Sequence, residues 1–415
     1  MASGIKQALL FLVLFCAGYC ASATDFDGLV DLEQQKLHVV QAGHGPITVV
    51  FEAGFASDLS VWRRVAPEVA KKAQVFLYSR AGMGKSPAPA QVHTFDQDTL
   101  ELEKLLEQSQ AKPPYILVGH SYGSFLIRAF ASRHPGLIAG MVFVDPADEG
   151  MESALKQINA ARVLQDRQAL LAAIPAKWHG DLEMIQQLLD AGKLPITAPL
   201  PDVPTYVLTS VRAREGSDFF QETPVAVQLK RSRHQAFFAQ FSNGAHLVTS
   251  NSGHTIQLQE PELVVHAVEQ VLTSANNNMK RMAYERTRKA ILGEFDKAQS
   301  LLDQNKADMA TNIVSSAIRD SQFNEADVNN LGFELLTKRK QVALAGLVLQ
   351  YNSRAYPQSH NAADSYGEAL YALKRYRESK LEFQRALALG TQAAASERAL
   401  AGYRENLGKA EKAEQ

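Results

Sequence analysis

Between about Leu37 and Leu272, short runs of β-branched and aromatic residues alternate with longer stretches of helical pattern. The runs at Leu37–Val40, Thr48–Glu52, Gln74–Tyr78, Tyr115–Gly119, Gly140–Val144, Thr205–Thr209 and Ala245–Thr249 predict strands. Several of them, ITVVF, YILVG and MVFVD among them, are apolar throughout instead of alternating. Strands buried on both faces of a sheet need that pattern. The chain therefore reads as an α/β protein with a mostly parallel sheet flanked by helices.

Two intervals break this rhythm. From Glu149 to about Leu200 the pattern is helical and rich in Ala, Leu and Gln, between the strands ending at Val144 and starting at Thr205. An insertion there can act as a lid over the carboxyl ends of the strands, where open α/β sheets bind ligands. Later, Ser274-Ala275-Asn276-Asn277-Asn278 reads as a linker, and everything beyond it is helical in pattern. In that tail, Asn329–Leu336 (NNLGFELL) recurs as Asp364–Leu370 (DSYGEAL), with the glycines 35 positions apart. In the second copy Ser379 and Phe383 follow at the expected spacing, whereas the first copy fits only with one extra residue between its helices. The tail thus resembles two degenerate tetratricopeptide repeats, whose period is 34. Stacked repeats imply a protein or peptide partner, or self-association. The division expected is 1–23, 24–275 and 276–415.

Composition narrows the partners. Lys plus Arg number 43 and Asp plus Glu 44, a net charge of −1, so no global field favours nucleic acid or an anionic membrane. The segment MASGIKQALLFLVLFCAGYCASATDFD places Lys6 before an apolar run from Ala8 to about Ala17 and an Ala21-Ser22-Ala23 site after it. This reads as a signal peptide cut after Ala23, giving an exported protein, periplasmic or secreted, with no membrane span after cleavage. Both cysteines, Cys16 and Cys20, lie in that segment, so the processed chain would have neither a disulfide nor a thiol nucleophile.

Gly119-His120-Ser121-Tyr122-Gly123 fits the G-x-S-x-G nucleophile elbow. The pentapeptide alone is weak, but it follows the strand YILVG and opens the helical segment SFLIRAFASRH, the strand–turn–helix setting the elbow requires. A serine hydroxyl needs a base to take its proton. His254, after the last predicted strand, is the candidate and stands in the expected order behind Ser121. His120 is set aside as directed away from Ser121, His134 as a helix end, and His234 as part of a helical stretch.

With these pieces in place, residues 37 to 272 resemble the α/β-hydrolase superfamily, in its lidded, esterase-like branch. The match rests on Phe51–Phe55 (FEAGF), Tyr78–Ser86 (YSRAGMGKS), the elbow, and Ser252-Gly253-His254. Ser79 departs from the pattern, standing where relatives commonly carry aspartate. The resemblance implies the α/β-hydrolase fold for that stretch, with the all-α tail outside it, and an oxyanion hole formed by the N–H groups of Phe55 and Tyr122. It leaves the acid open. Relatives usually place it after the strand at Thr205–Thr209, where this chain offers only the late Glu215 and Asp218. Some carry it at the position of Asp145, which ends the strand VFVD and is preferred here.

The function expected is hydrolysis of a small carboxylic ester, ahead of an amide or thioester, through an acyl-enzyme. Two alternatives stay open: a non-hydrolytic enzyme on this fold, such as a lyase or cofactor-free haloperoxidase, and a repeat-mediated binding protein with an inactive hydrolase scaffold. No dinucleotide fingerprint, phosphate loop or metal-ligand spacing is present, so no cofactor or metal is implied.

Overall fold

The computed structural model describes residues 25–33 and 35–415. The expected signal peptide, with both cysteines, lies outside the described residues. Among those described, no helix is long and apolar enough to cross a membrane. The chain divides into two compact units that meet between Asn278 and Met279.

The first unit is built on eight strands: β1 Phe26–Asp31, β2 Lys36–Ala42, β3 Thr48–Glu52, β4 Gln74–Ser79, β5 Tyr115–His120, β6 Ile138–Val144, β7 Thr205–Ser210 and β8 Gly244–Thr249. They form one sheet in the order β1-β2-β4-β3-β5-β6-β7-β8. The pairings β1·β2 and β2·β4 are antiparallel and the remainder parallel. Seven of these strands are the apolar runs of the sequence. The eighth, β1, was not foreseen: FDGLVD is mostly exposed at the sheet edge and carries no continuous apolar signal.

The unbroken apolar strands feed two cores, because successive side chains point to opposite faces. Val49, Phe51, Val75, Leu77, Val118, Val142 and Val144 face one side. There they meet Ala66 and Val69 of α1 (Ala66–Ala70) and Val264, Val268 and Val271 of a long helix described below. Val50, Phe76, Tyr78, Leu117, Met141 and Phe143 face the other. These pack on Leu102 and Leu105 of α2 (Phe95–Gln108) and on Ile127 and Phe130 of α3 (Gly123–Arg133).

The segment between β6 and β7 forms α4 (Met151–Ala173), kinked at Asn159, and α5 (His179–Ala191). Ile185 of α5 is buried with Tyr122, Phe125 and Phe95, so the insertion does cover the carboxyl end of β5. After β7 come α6 (Pro224–Phe238), β8 and the short α7 (Ile256–Gln259).

The expected linker at Ser274–Asn278 is a correction. It lies inside one helix, α8, Pro261–Asp303. Asparagines lower helix propensity by only a few tenths of a kcal/mol each, and no Gly or Pro interrupts the run. Val271, Leu272 and Ala275 are buried, which anchors the helix up to that point.

In the second unit α9 (Ala307–Arg319), α10 (Glu325–Phe333), α11 (Val342–Ala355), α12 (His360–Ala372), α13 (Tyr376–Gln392) and α14 (Glu397–Glu414) follow. Each of the two repeated glycines marks a close helix approach. A Cβ on Gly332 would lie 2.4 Å from the Leu349 side chain, and one on Gly367 2.6 Å from Phe383. The contact spans seventeen residues in the first pair and sixteen in the second. The first pair also contains a π-helical turn, Glu334–Lys338. A π-turn is how a helix takes up one additional residue.

Candidate active site

Residues from the carboxyl ends of β5, β6 and β8 converge above the sheet. Ser121 follows β5 directly, with φ of 50°, a left-handed conformation rare for a side-chain-bearing residue. Its N–H donates to Val144 O at 3.2 Å, and its carbonyl accepts from Ala147 N at 3.1 Å, so the turn is pinned to the end of β6. The motif glycines permit it. A Cβ on Gly123 would lie 2.6 Å from both Ala53 O and Glu52 O, and one on Gly119 2.9 Å from Gly123 O.

Ser121 Oγ lies 2.9 Å from His254 Nε2, and His254 Nδ1 lies 2.7 Å from Asp145 Oδ2. The Nδ1–H therefore donates to the carboxylate, which leaves Nε2 as acceptor for the serine hydroxyl. Asp145 is 1% exposed and its Oδ1 accepts from Ser210 N–H at 3.0 Å. Burial raises the Asp145 carboxyl, but the hydrogen bond from His254 and the charge of Lys230 outweigh it and hold the group below the carboxylate range. It is an anion at any ordinary pH. The two alternative acids lie elsewhere: Glu215 and Asp218 are exposed in the segment after β7, where Asp218 uses its backbone carbonyl to accept from Arg162. Neither bonds His254 among the described residues.

Phe55 and Tyr122 flank this group. Among the described residues neither backbone N–H has a protein acceptor. Arg80, on the loop after β4, donates to Ala53 O at 2.7 Å and to Gly54 O at 2.5 Å. A trans peptide points its C=O and N–H in opposite directions. Holding the Gly54 carbonyl therefore fixes where the Phe55 N–H points. Arg80 is itself buried in an ion pair with Glu52, which also accepts from Tyr78 Oη. Burial raises the Glu52 carboxyl and the guanidinium beside it pulls the other way. Ser79, the departure from the family pattern, is buried and its Oγ accepts from Leu59 N–H at 3.3 Å.

Three contributors escaped the sequence. Arg80 falls within YSRAGMGKS, a motif that gives it no part. His120 was set aside, yet its Nε2 hydrogen-bonds the carbonyl of His254 at 2.9 Å, with ring centroids 4.7 Å apart. Burial, with the charge on His254, pushes His120 down to about 3, so it is a neutral N–H donor. Lys230 of α6 places Nζ 2.9 Å from Asp145 Oδ2. Its position in a helix 85 residues further along gave no signal.

A cavity of about 240 Å³ opens beside Phe55 and Tyr122, lined also by Arg80, Trp178, Asp181 and Met184. At its edge His93, Asp98 and Glu101 bring ligand-type atoms within 4.8 Å of one another. The sequence reading named no metal-ligand group. Here His93 lies 3.3 Å from Asp98 and 3.6 Å from Glu101, and Tyr122 Oη donates to Asp98 at 3.1 Å.

Residues 47–188 match the family model for the α/β hydrolase fold. The chain is similar to the uncharacterised protein YqjL of Bacillus subtilis, 28% identical over 233 residues, covering 56% of this chain and 86% of that one. It is also similar to lipase LipV of Mycobacterium tuberculosis, 34% identical over 115 residues, but over only 27% of this chain and 42% of the lipase. A solved serine hydrolase involved in carbazole degradation, CarC, is 17% identical with a TM-score of 0.43, over 60% of this chain and 99% of that one. With a mostly parallel eight-stranded sheet and a family match that spans β3 to α5, the first unit of this chain has the α/β-hydrolase fold.

Proposed function

We propose that the protein is a serine hydrolase that cleaves a carboxylic ester through an acyl-enzyme. The observation that carries this reading is the unbroken series Ser121 Oγ–His254 Nε2 at 2.9 Å and His254 Nδ1–Asp145 Oδ2 at 2.7 Å. His254 takes the serine proton as Oγ attacks the carbonyl carbon, and Asp145 keeps the ring oriented and stabilises its charged form. The N–H groups of Phe55 and Tyr122 receive the developing oxyanion. His254 then protonates the leaving alcohol, and a water activated by the same nitrogen releases the acid. The His254 side chain is 55% exposed, which gives that water access.

The cavity beside Phe55 and Tyr122 favours small acyl or alcohol groups, since about 240 Å³ lies below the usual range for drug-sized ligands. The name of the M. tuberculosis relative, a lipase, agrees with an ester substrate. A chain-length series of 4-nitrophenyl esters on wild type and Ser121→Ala tests the reading. Turnover of the short esters and its loss in the variant are expected; wild-type-like turnover in Ser121→Ala overturns it.

For the second unit we propose two degenerate tetratricopeptide repeats. The repeated glycine–helix contacts and the π-turn that takes up the additional residue in the first copy support this. Light scattering on the full chain and on a chain ending at Asn278 separates the two uses of such a surface. A lower oligomer order after truncation indicates self-association. Unchanged order together with loss of a pull-down partner points to recruitment of a peptide or protein.

A further inference from the structure

Asp145 Oδ2 receives two donors, His254 Nδ1 at 2.7 Å and Lys230 Nζ at 2.9 Å, while among the described residues Oδ1 receives only the Ser210 amide. One negative charge, shielded from water, is thus shared between an ammonium and an imidazole. We propose that Lys230 is a positioning residue that restrains the basicity of His254 by occupying the same carboxylate oxygen. The inference rests on reading Ser121, His254 and Asp145 as the proton-transfer group.

When His254 takes a proton, two cations face one anion. The stabilisation that Asp145 gives the imidazolium is then smaller than an unshared carboxylate would give, because like charges a few ångströms apart disfavour the second. Removing the Lys230 charge then lets Asp145 stabilise the imidazolium more fully. The surroundings leave Lys230 as the cation that matters. His120 from β5 and His234 from α6 are both held neutral by burial. Asp148, on the β6 loop, is paired with Arg233 of α6 at 2.7 Å. His246 of β8 is lowered by burial. Glu260 accepts from Thr249, Asn251 and Ser252 in the segment leading to His254.

The same helix anchors the acid loop twice more. Arg233 binds Asp148, and His234 Nε2 donates to Pro146 O at 3.0 Å. Removing the Lys230 charge should therefore leave the loop seated, and methionine preserves most of the buried stem.

The test is the titration of the His254 imidazole by NMR on histidine-labelled full-length protein, with the signal assigned through His254→Gln. It is read alongside the pH profile of kcat/KM for 4-nitrophenyl acetate. In Lys230→Met the His254 midpoint and the acid limb of kcat/KM are expected to rise together by about one pH unit, with Lys230→Arg staying at the wild-type position. Should Lys230→Met fail to fold, Lys230→Gln removes the same charge. An unmoved midpoint in a folded variant overturns the proposal, and so does a rate lowered equally at every pH, which is what a merely structural lysine would give. If the wild type hydrolyses no ester, the reading of the site fails on its own, while the NMR midpoint still decides the part played by Lys230.

Discussion

His120 lies beneath His254 and holds it by the backbone: its Nε2–H donates to the His254 carbonyl at 2.9 Å, with the two ring centroids 4.7 Å apart. The elbow thus grips the base-bearing loop from the residue next to Ser121. Replacement by leucine removes the donor and frees the loop to shift. His120→Leu is expected to lower kcat by roughly tenfold to a hundredfold, since small displacements of a reacting group cost that much. KM should change far less. Steady-state kinetics on a variant with native circular dichroism checks this.

Asp145→Asn keeps the shape of the acid but loses the charge that orients His254 and stabilises its protonated form. Turnover should fall by about four orders of magnitude. Asp218→Ala and Glu215→Ala, exposed and without a bond to His254, should stay within about twofold of wild type, as is usual for surface positions away from structural features. Parallel assays of the three variants on one short ester decide the acid; a larger loss in either alanine variant would move it to the segment after β7.

Gly54 is kept small by its neighbours. A Cβ there would lie 2.8 Å from His120 Nδ1 and 3.3 Å from Ser121 Cβ. Gly54→Ala must displace His120, Ser121 or the Phe55 amide. A kcat loss on the order of tenfold or more is expected, with the Ser121 phosphonate-labelling rate falling in proportion.

Two buried histidines make the first unit lose stability as pH falls, against an opposite contribution from Glu52 and Glu101, whose carboxyls burial raises to about 7. Burial holds His120 at about 3 and His234 at about 4. Once unfolded, both accept protons below their ordinary value near 6.5, so the unfolded state binds more protons and stability falls as pH falls. The loss begins near pH 6.5 and continues to the folded values. Asp145 adds to it at lower pH, because its folded carboxyl lies below the unfolded one and its stabilisation vanishes as pH drops through that value. Between pH 7.5 and 5 each histidine should contribute a loss on the order of 2 kcal/mol, read as the difference between wild type and His120→Leu in urea unfolding followed by tryptophan fluorescence, since the carboxyl contribution is common to both. Both tryptophans, Trp62 and Trp178, report on this unit. His120→Leu is expected to lose less stability than wild type, or to gain some, over this interval.

What the sequence determined is what short-range pattern and steric demand dictate. Runs such as YILVG and MVFV are apolar at every position because both faces of the sheet are covered, so seven of the eight strands and the α/β class were legible. The elbow was legible because Ser121 adopts its φ of 50° only between Gly119 and Gly123, residues adjacent in the chain. Tertiary structure alone decided what depends on distance through space. The bond between Asp145 and His254 joins positions 109 apart, so the family resemblance could rank Asp145 above Asp218 and Glu215 but the sequence could not bring any of them to the ring. Lys230 and Arg80 carry no local mark of their contacts, because long charged side chains on a helix or loop look the same whether they meet solvent or a buried carboxylate. β1 is an exposed edge strand, and Ser274–Asn278 is polar yet helical. In both, neighbouring elements, through pairing on one side and packing on the other, outweighed a weak local preference.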